Sequence, residues 1–169
     1  MAEKRVPDPT LMARLQLSVK GVDWAASLVA HKQHEQPDGE WSAHQHLVHL
    51  LQVEREIFQP RIAATLEEDR PLFEKWDADA AAARIESGSA LMDLAEEFMR
   101  ERERTVEVFK GLTAEQWRRT GVWPQDGEVD LAWAAEKVLA HGLEHFVGLL
   151  TIHQEVEHLQ ARQWLTDGQ

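Results

Sequence analysis

"DLAWAAEKVLAHGLEHFVGLL", from Asp130 to Leu150, repeats its apolar residues with the period of a helix. Asp130 is of the residue type that caps a helix start, and the pattern it opens continues to about Trp164. At about 100° per residue, Leu131, Ala135, Phe146, Leu149 and Val156 share one face. His141 and His145 fall within or at the margin of that face, about 40° apart. Gly142 and Gly148 beside them remove bulk. A helix that turns two imidazoles toward a core either buries them as hydrogen-bonded core residues or lets them share an ion. The spacing permits the second, but HxxxH is common in helices and does not decide it alone.

The rest of the chain is also helical in period. A first segment opens at Asp8-Pro9, an acid cap followed by proline at the first helical position. Leu11, Leu15, Val22, Ala25 and Val29 continue it, and "EQPDGE" (Glu35–Glu40) ends it. A second opens at "WSAHQ", where Ser42 and Gln45 have the spacing of a capping box and Trp41 can staple onto the first turn. Its apolar face is Leu47, Leu50, Leu51, Ile57, Phe58 and Ile62, and Pro60 predicts a kink. A third runs from about Ala80 to Lys110, with Leu91, Leu94, Phe98, Val106 and Phe109 toward the core and "EEFMRERERTVEVF" as a solvated face. Gly111 is its C-cap. "LTAEQW" adds a helical turn, and "GVWPQDGEVD" is read as a turn-rich loop.

Strand patterns are nearly missing. The expected fold is all-α: one domain over residues 1–169, built as a four-helix bundle. The linker "EEDRPLFEKWDAD" (Glu67–Asp79) is longer than a helix hairpin needs. Extended, its linking residues reach roughly 36 Å, a helix length, so the second and third helices need not be antiparallel neighbours.

Composition narrows the partners. The chain has 169 residues, 43 % hydrophobic, enough for a real core. A net charge of −12 repels phosphate backbones and anionic lipid, so neither nucleic acid nor membrane is an expected partner. "MAEKRVPDPT" has no apolar signal region, no stretch has the length of a membrane span, and cysteine is absent. Together these point to a cytoplasmic protein, and they exclude disulfides, thiolate metal sites and a cysteine nucleophile.

A third ligand for His141 and His145 has to come from another helix. On the second, His44 projects away from the apolar face, while His46 and His49 share a stripe along its edge. Periodicity slightly favours His46. His153 lies roughly 12 Å along the axis from His145, too far to share its ion, and reads as core or cavity lining. His158 points to the opposite side. Glu54 sits near the centre of the second helix's core face. It is either a buried acid paired with an arginine or a carboxylate acting as a base or orienting group near the site. HExxH is absent, and the only Glu-x-x-His pair on the fourth helix, Glu155 with His158, faces outward.

"WSAHQHLVHL" resembles the W-S-x-x-E-x-x-x-H-L motif of the DinB-like family, and "HGLEH" resembles its second motif, H-x-x-x-H. This family of four-helix proteins includes bacillithiol transferases and mycothiol-dependent maleylpyruvate isomerases. The resemblance covers about Trp41 to Ile152. It implies that His49, the histidine followed by leucine, joins His141 and His145 as metal ligands. It also implies an up-down-down-up order, which suits the long crossing between helices two and three, and a homodimer. One position departs from the pattern: the common acid is Gln45 here. A glutamine closes a capping box equally well, but would weaken any role in orienting His49.

Three imidazoles suit Zn, Ni or Fe and leave a coordination position open. The leading expectation is a metal-dependent enzyme, an S-transferase using a low-molecular-weight thiol or a hydrolase, acting on a small electrophilic molecule. The rival is a non-catalytic metal-binding or dimerising stress-response bundle. An open position at the base of a pocket favours the first.

Overall fold

The computed structural model describes residues 7–82, 84 and 88–167. Helix α1 spans Leu11–Val29. It begins after Asp8-Pro9, because the Asp8 carboxylate accepts from both the backbone N–H and the hydroxyl of Thr10, at 2.8 Å each. Leu11, Leu15, Val22, Ala25 and Val29 are all buried.

The second rod is α2 (Ala43–Val53), a π turn (Glu54–Phe58) and α3 (Gln59–Glu67). The capping box is present: Ser42 Oγ accepts from the Gln45 N–H at 3.2 Å, and the Ser42 N–H donates to Gln45 Oε1 at 2.8 Å. Pro60 has no N–H, and its ring crowds the carbonyl four residues back. The chain meets this with a widened turn just before it, in which the Gln59 N–H reaches the Glu54 carbonyl.

Two sequence expectations need correction. The third helix starts at Leu91, not near Ala80: α4 (Ala78–Ala82) is a separate short helix, and α5 runs Leu91–Lys110. Gly88 and Ser89 stand between them, residues that favour turns over helix. The whole crossing from Glu67 to Leu91 is therefore longer than the linker alone, as the up-down-down-up order requires. Second, "GVWPQDGEVD" is not a plain loop. β1 (Thr120–Trp123) pairs antiparallel with β2 (Gly127–Asp130). A three-residue Pro124-Gln125-Asp126 turn closes on Gly127, whose φ of 75° is left-handed and suits glycine.

The crossing docks on this hairpin. The Phe73 N–H donates to the Val122 carbonyl at 3.0 Å and the Val122 N–H to the Pro71 carbonyl at 2.8 Å. Gly121 permits the approach, since a Cβ there would lie 2.8 Å from the Phe73 ring. Helix α6 (Leu131–Asp167) follows directly, its first turn capped by Asp130, which accepts from the Trp133 N–H at 2.8 Å.

Helix α1 packs on α5 and α6, and α2 packs on the same two helices from the other side. The core falls into two apolar halves. One contains Val22, Leu47, Leu50, Phe98 and Leu149. The other contains Leu15, Phe58, Phe109, Trp123 and Val138. At the height where they meet, the helices turn inward Ser18, Glu54, Arg102, Thr105 and His145, all buried. The bundle thus has a polar belt at mid-height. No helix among the described residues is long and apolar enough to cross a membrane.

Candidate metal centre

Three rings of the belt converge. His49 comes from α2, His141 and His145 from successive turns of α6. His141 Nε2 lies 3.3 Å from His49 Nε2 and 3.2 Å from His145 Nε2. A ligand atom from each of the three lies within 4.8 Å of the others. An ion holding nitrogens tetrahedrally at about 2.0–2.1 Å sets them about 3.3–3.4 Å apart. The spacing and the donor set therefore fit a divalent metal.

Burial prepares the rings to ligate. It pushes the pKa of His141 down to about 2, with His145, His49, Arg102 and Lys137 adding to the effect. Burial also lowers His145 to about 3, helped by His46 and His49. His49 is lowered too, again chiefly by burial, with Glu144 opposing. Neutral imidazoles keep a lone pair for an ion at neutral pH.

His46, weighed in sequence against His49, is also turned inward but has a different contact. Its Nδ1 lies 2.7 Å from Nδ1 of His145. With His145 Nε2 directed at the cluster, its Nδ1–H is left to donate to His46, which fixes the tautomer. Gly148 makes this possible: a Cβ there would sit 2.6 Å from His46 Cε1. His141 has no such support among the described residues, where its buried Nδ1 finds no hydrogen-bond partner.

Aromatic rings enclose the cluster. Trp41 lies 5.0 Å from His49 and 6.0 Å from His145, centroid to centroid. Trp76 lies 5.9 Å from His49, and Phe58 5.6 Å from His141. A pocket of about 330 Å³ opens beside them, with His49, His141, Phe58, Trp76, Trp123 and Arg61 on its walls. Sequence reading missed the hairpin that supplies Trp123. The signal present was the Asp126-Gly127 dipeptide.

Glu54 is fully buried, as is Arg102. Its Oε2 accepts from Arg102 Nε at 2.9 Å, and its Oε1 from the Thr105 hydroxyl. Arg102 Nη1 also donates to the Val138 carbonyl at 3.2 Å, linking the pair to α6 beside His141. Both carboxylate oxygens are thus engaged, in the buried acid–arginine arrangement. Gln45 holds the capping box and also accepts from Gln36 Nε2 at 2.8 Å, so it anchors the loop before α2.

The remaining histidines lie apart from the cluster. His44 projects away from the cluster. It is buried, with Nε2 3.1 Å from the Ser89 carbonyl, because the segment before α5 covers that side of α2. His153 is partly buried and 3.4 Å from Glu157, and His158 is exposed.

The profile of the DinB superfamily matches residues 16–146. Among solved structures, YfiT from Bacillus subtilis, "a probable metal-dependent hydrolase with an unusual four-helix bundle topology", superposes with a TM-score of 0.80. It is 17 % identical, with 93 % of each chain covered, a likeness of fold. No curated protein matches the chain significantly.

Proposed function

The chain belongs to the DinB superfamily, and on that footing we propose that it is a metal-dependent enzyme acting on a small electrophilic molecule. The observation that carries this reading is the meeting of three Nε2 atoms, two of them on residues that line an open pocket, His49 and His141. His49, His141 and His145 would hold the ion, with Zn, Ni and Fe all suited to three imidazoles. When bound, a divalent ion supplies Lewis acidity and yields a nucleophile, from water or a small thiol, near neutral pH.

The chain's own residues do the rest. Burial keeps the rings unprotonated. His46 orients His145 through its Nδ1. Trp41, Phe58 and Trp76 limit water around the rings. With water as nucleophile the reaction is a hydrolysis, which the fold likeness to YfiT favours. With a low-molecular-weight thiol it is an S-transfer, and since the chain has no cysteine the thiol must be a cosubstrate. A purely structural bundle would fill the pocket with side chains, and this one leaves it open.

Metal analysis of protein purified without an affinity tag is the first test, with about one divalent ion per chain expected. The metal-loaded protein is then assayed against activated esters, and against an electrophile with a small thiol. H145A should lose the ion and the activity while its circular dichroism stays helical. A protein that takes up no divalent ion, or whose activity survives H145A, would overturn the reading.

A further inference from the structure

The chain carries 30 acidic against 18 basic residues, yet the pocket beside the histidines is basic. Arg61, Lys75 and Lys137 line it against one acid, Asp126. That acid is engaged with a different cation: Lys137 Nζ stands 4.0 Å from its Oδ1. Arg61 has no ion-pair partner among the described residues. Its guanidinium carbon lies 4.7 Å from the centroid of Trp123 and 5.4 Å from that of Phe73. One Nη2 hydrogen bond to the Glu74 carbonyl, at 2.9 Å, ties it to the crossing. A guanidinium has five N–H donors, so most of the fork is uncommitted to protein.

The position of Arg61 makes it a preformed site. It is partly buried, and burial draws its pKa down while Asp126 only opposes this. An arginine held against two rings and tied to a backbone carbonyl has lost much of the rotamer freedom that binding would otherwise remove. In a chain with so many acids, a partly desolvated arginine with no acid in ion-pair contact among the described residues leaves its charge for a ligand. The pocket volume of about 330 Å³ is at the small end of the range for ligand sites, about 300–1,000 Å³.

We propose that this pocket binds a small organic carboxylate, its anionic group on Arg61 and its planar or apolar body against Trp76 and Trp123. Lys75 and Lys137 add to the attracting field. The end of the molecule away from the carboxylate then lies toward His49 and His141, where the proposed reaction takes place. That last placement rests on the enzymatic reading, whereas the binding does not.

Benzoate and its neutral isostere benzamide are the probes, titrated into the zinc-loaded protein and followed by tryptophan fluorescence. Benzoate should bind roughly tenfold or more tightly than benzamide, with the difference shrinking as salt is raised. R61Q should abolish the preference and leave benzamide affinity and zinc content unchanged. R61K, which keeps the charge but not the fork, should retain part of it. Equal affinity for the two probes, or a preference that survives R61Q, would overturn the proposal. Because binding is read without turnover, a protein that prefers benzoate but hydrolyses nothing would sink only the enzymatic reading.

Discussion

His46 Nδ1 lies 2.7 Å from His145 Nδ1, across the gap between α2 and α6. Such a contact sets which nitrogen of His145 is left for an ion, and loss of an orienting partner typically lowers metal affinity about 10–100-fold. H46A should show a loss of that size by titration calorimetry, with an unchanged helical spectrum. G148A should do the same without altering any imidazole, because its Cβ would displace the His46 ring, 2.6 Å away. Wild-type affinity in both variants would mean that the contact does not orient His145.

Glu54 and Arg102 test a different part of the belt. Both side chains are fully buried, with Arg102 Nη2 2.8 Å from Glu54 Oε2. Removing one partner leaves an uncompensated charge, at a cost of about 3–5 kcal/mol. Urea unfolding of E54A should show that loss. The double variant E54L/R102M should recover most of it, since apolar replacement of both partners is often neutral. E54L/R102M should also still bind the ion. If it folds with wild-type stability but has lost only catalysis, Glu54 acts as a base after all.

The four-helix architecture was legible because each long helix buries a stripe with period 3.6: Leu15 and Val22 in α1, Leu47 and Leu50 in α2, Phe98 and Phe109 in α5, Leu149 and Val156 in α6. The pairing of His141 with His145 was legible from the same period. The choice of His49 over His46 was not, because both lie on one stripe of α2 and the difference depends on where α6 passes. The family motif, rather than periodicity, pointed to His49. The hairpin escaped because its strands are four residues each, too short for alternation to show. Arg61 escaped for a related reason. The role proposed for it rests on Trp123, Phe73 and Glu74, contacts brought together only by the hairpin and the crossing.

Acid should unfold the metal-free protein more readily than its carboxylates alone require. Burial holds His141 near pKa 2 and His145 near 3 in the folded chain, against 6.5 when exposed. Below about pH 6.5 the unfolded chain binds protons that the folded chain refuses, so stability falls with pH through the window down to those values. Urea midpoints of EDTA-treated protein should drop between pH 7.5 and pH 5. H141A should flatten that dependence. Metal at a hundredfold over Kd should raise wild-type stability by about 2.7 kcal/mol at neutral pH and progressively less in acid, as protons compete for the ligands. A midpoint independent of pH in this range would mean that the buried rings titrate normally.

Self-association is the remaining expectation, and exposed apolar groups on α1 and α6 give a candidate face for it. Leu17 and Trp24 on α1 are 64 % and 55 % exposed, and Val147 on α6 is 59 % exposed. Leu17 and Trp24 flank Gly21, where α1 meets α6: a Cβ on Gly21 would lie 3.4 Å from the Phe146 ring, next to Val147 in the chain. The exposed apolar groups of both helices thus border one seam. A two-fold dimer, the commonest closed assembly, would lay this seam against its own copy. Light scattering at micromolar concentration should give twice the chain mass of 19.4 kDa. W24E should return the monomer without disturbing the helical spectrum, since Trp24 faces away from the core. A monomeric wild type would rule the dimer out. A dimer that survives W24E would move the interface to another face.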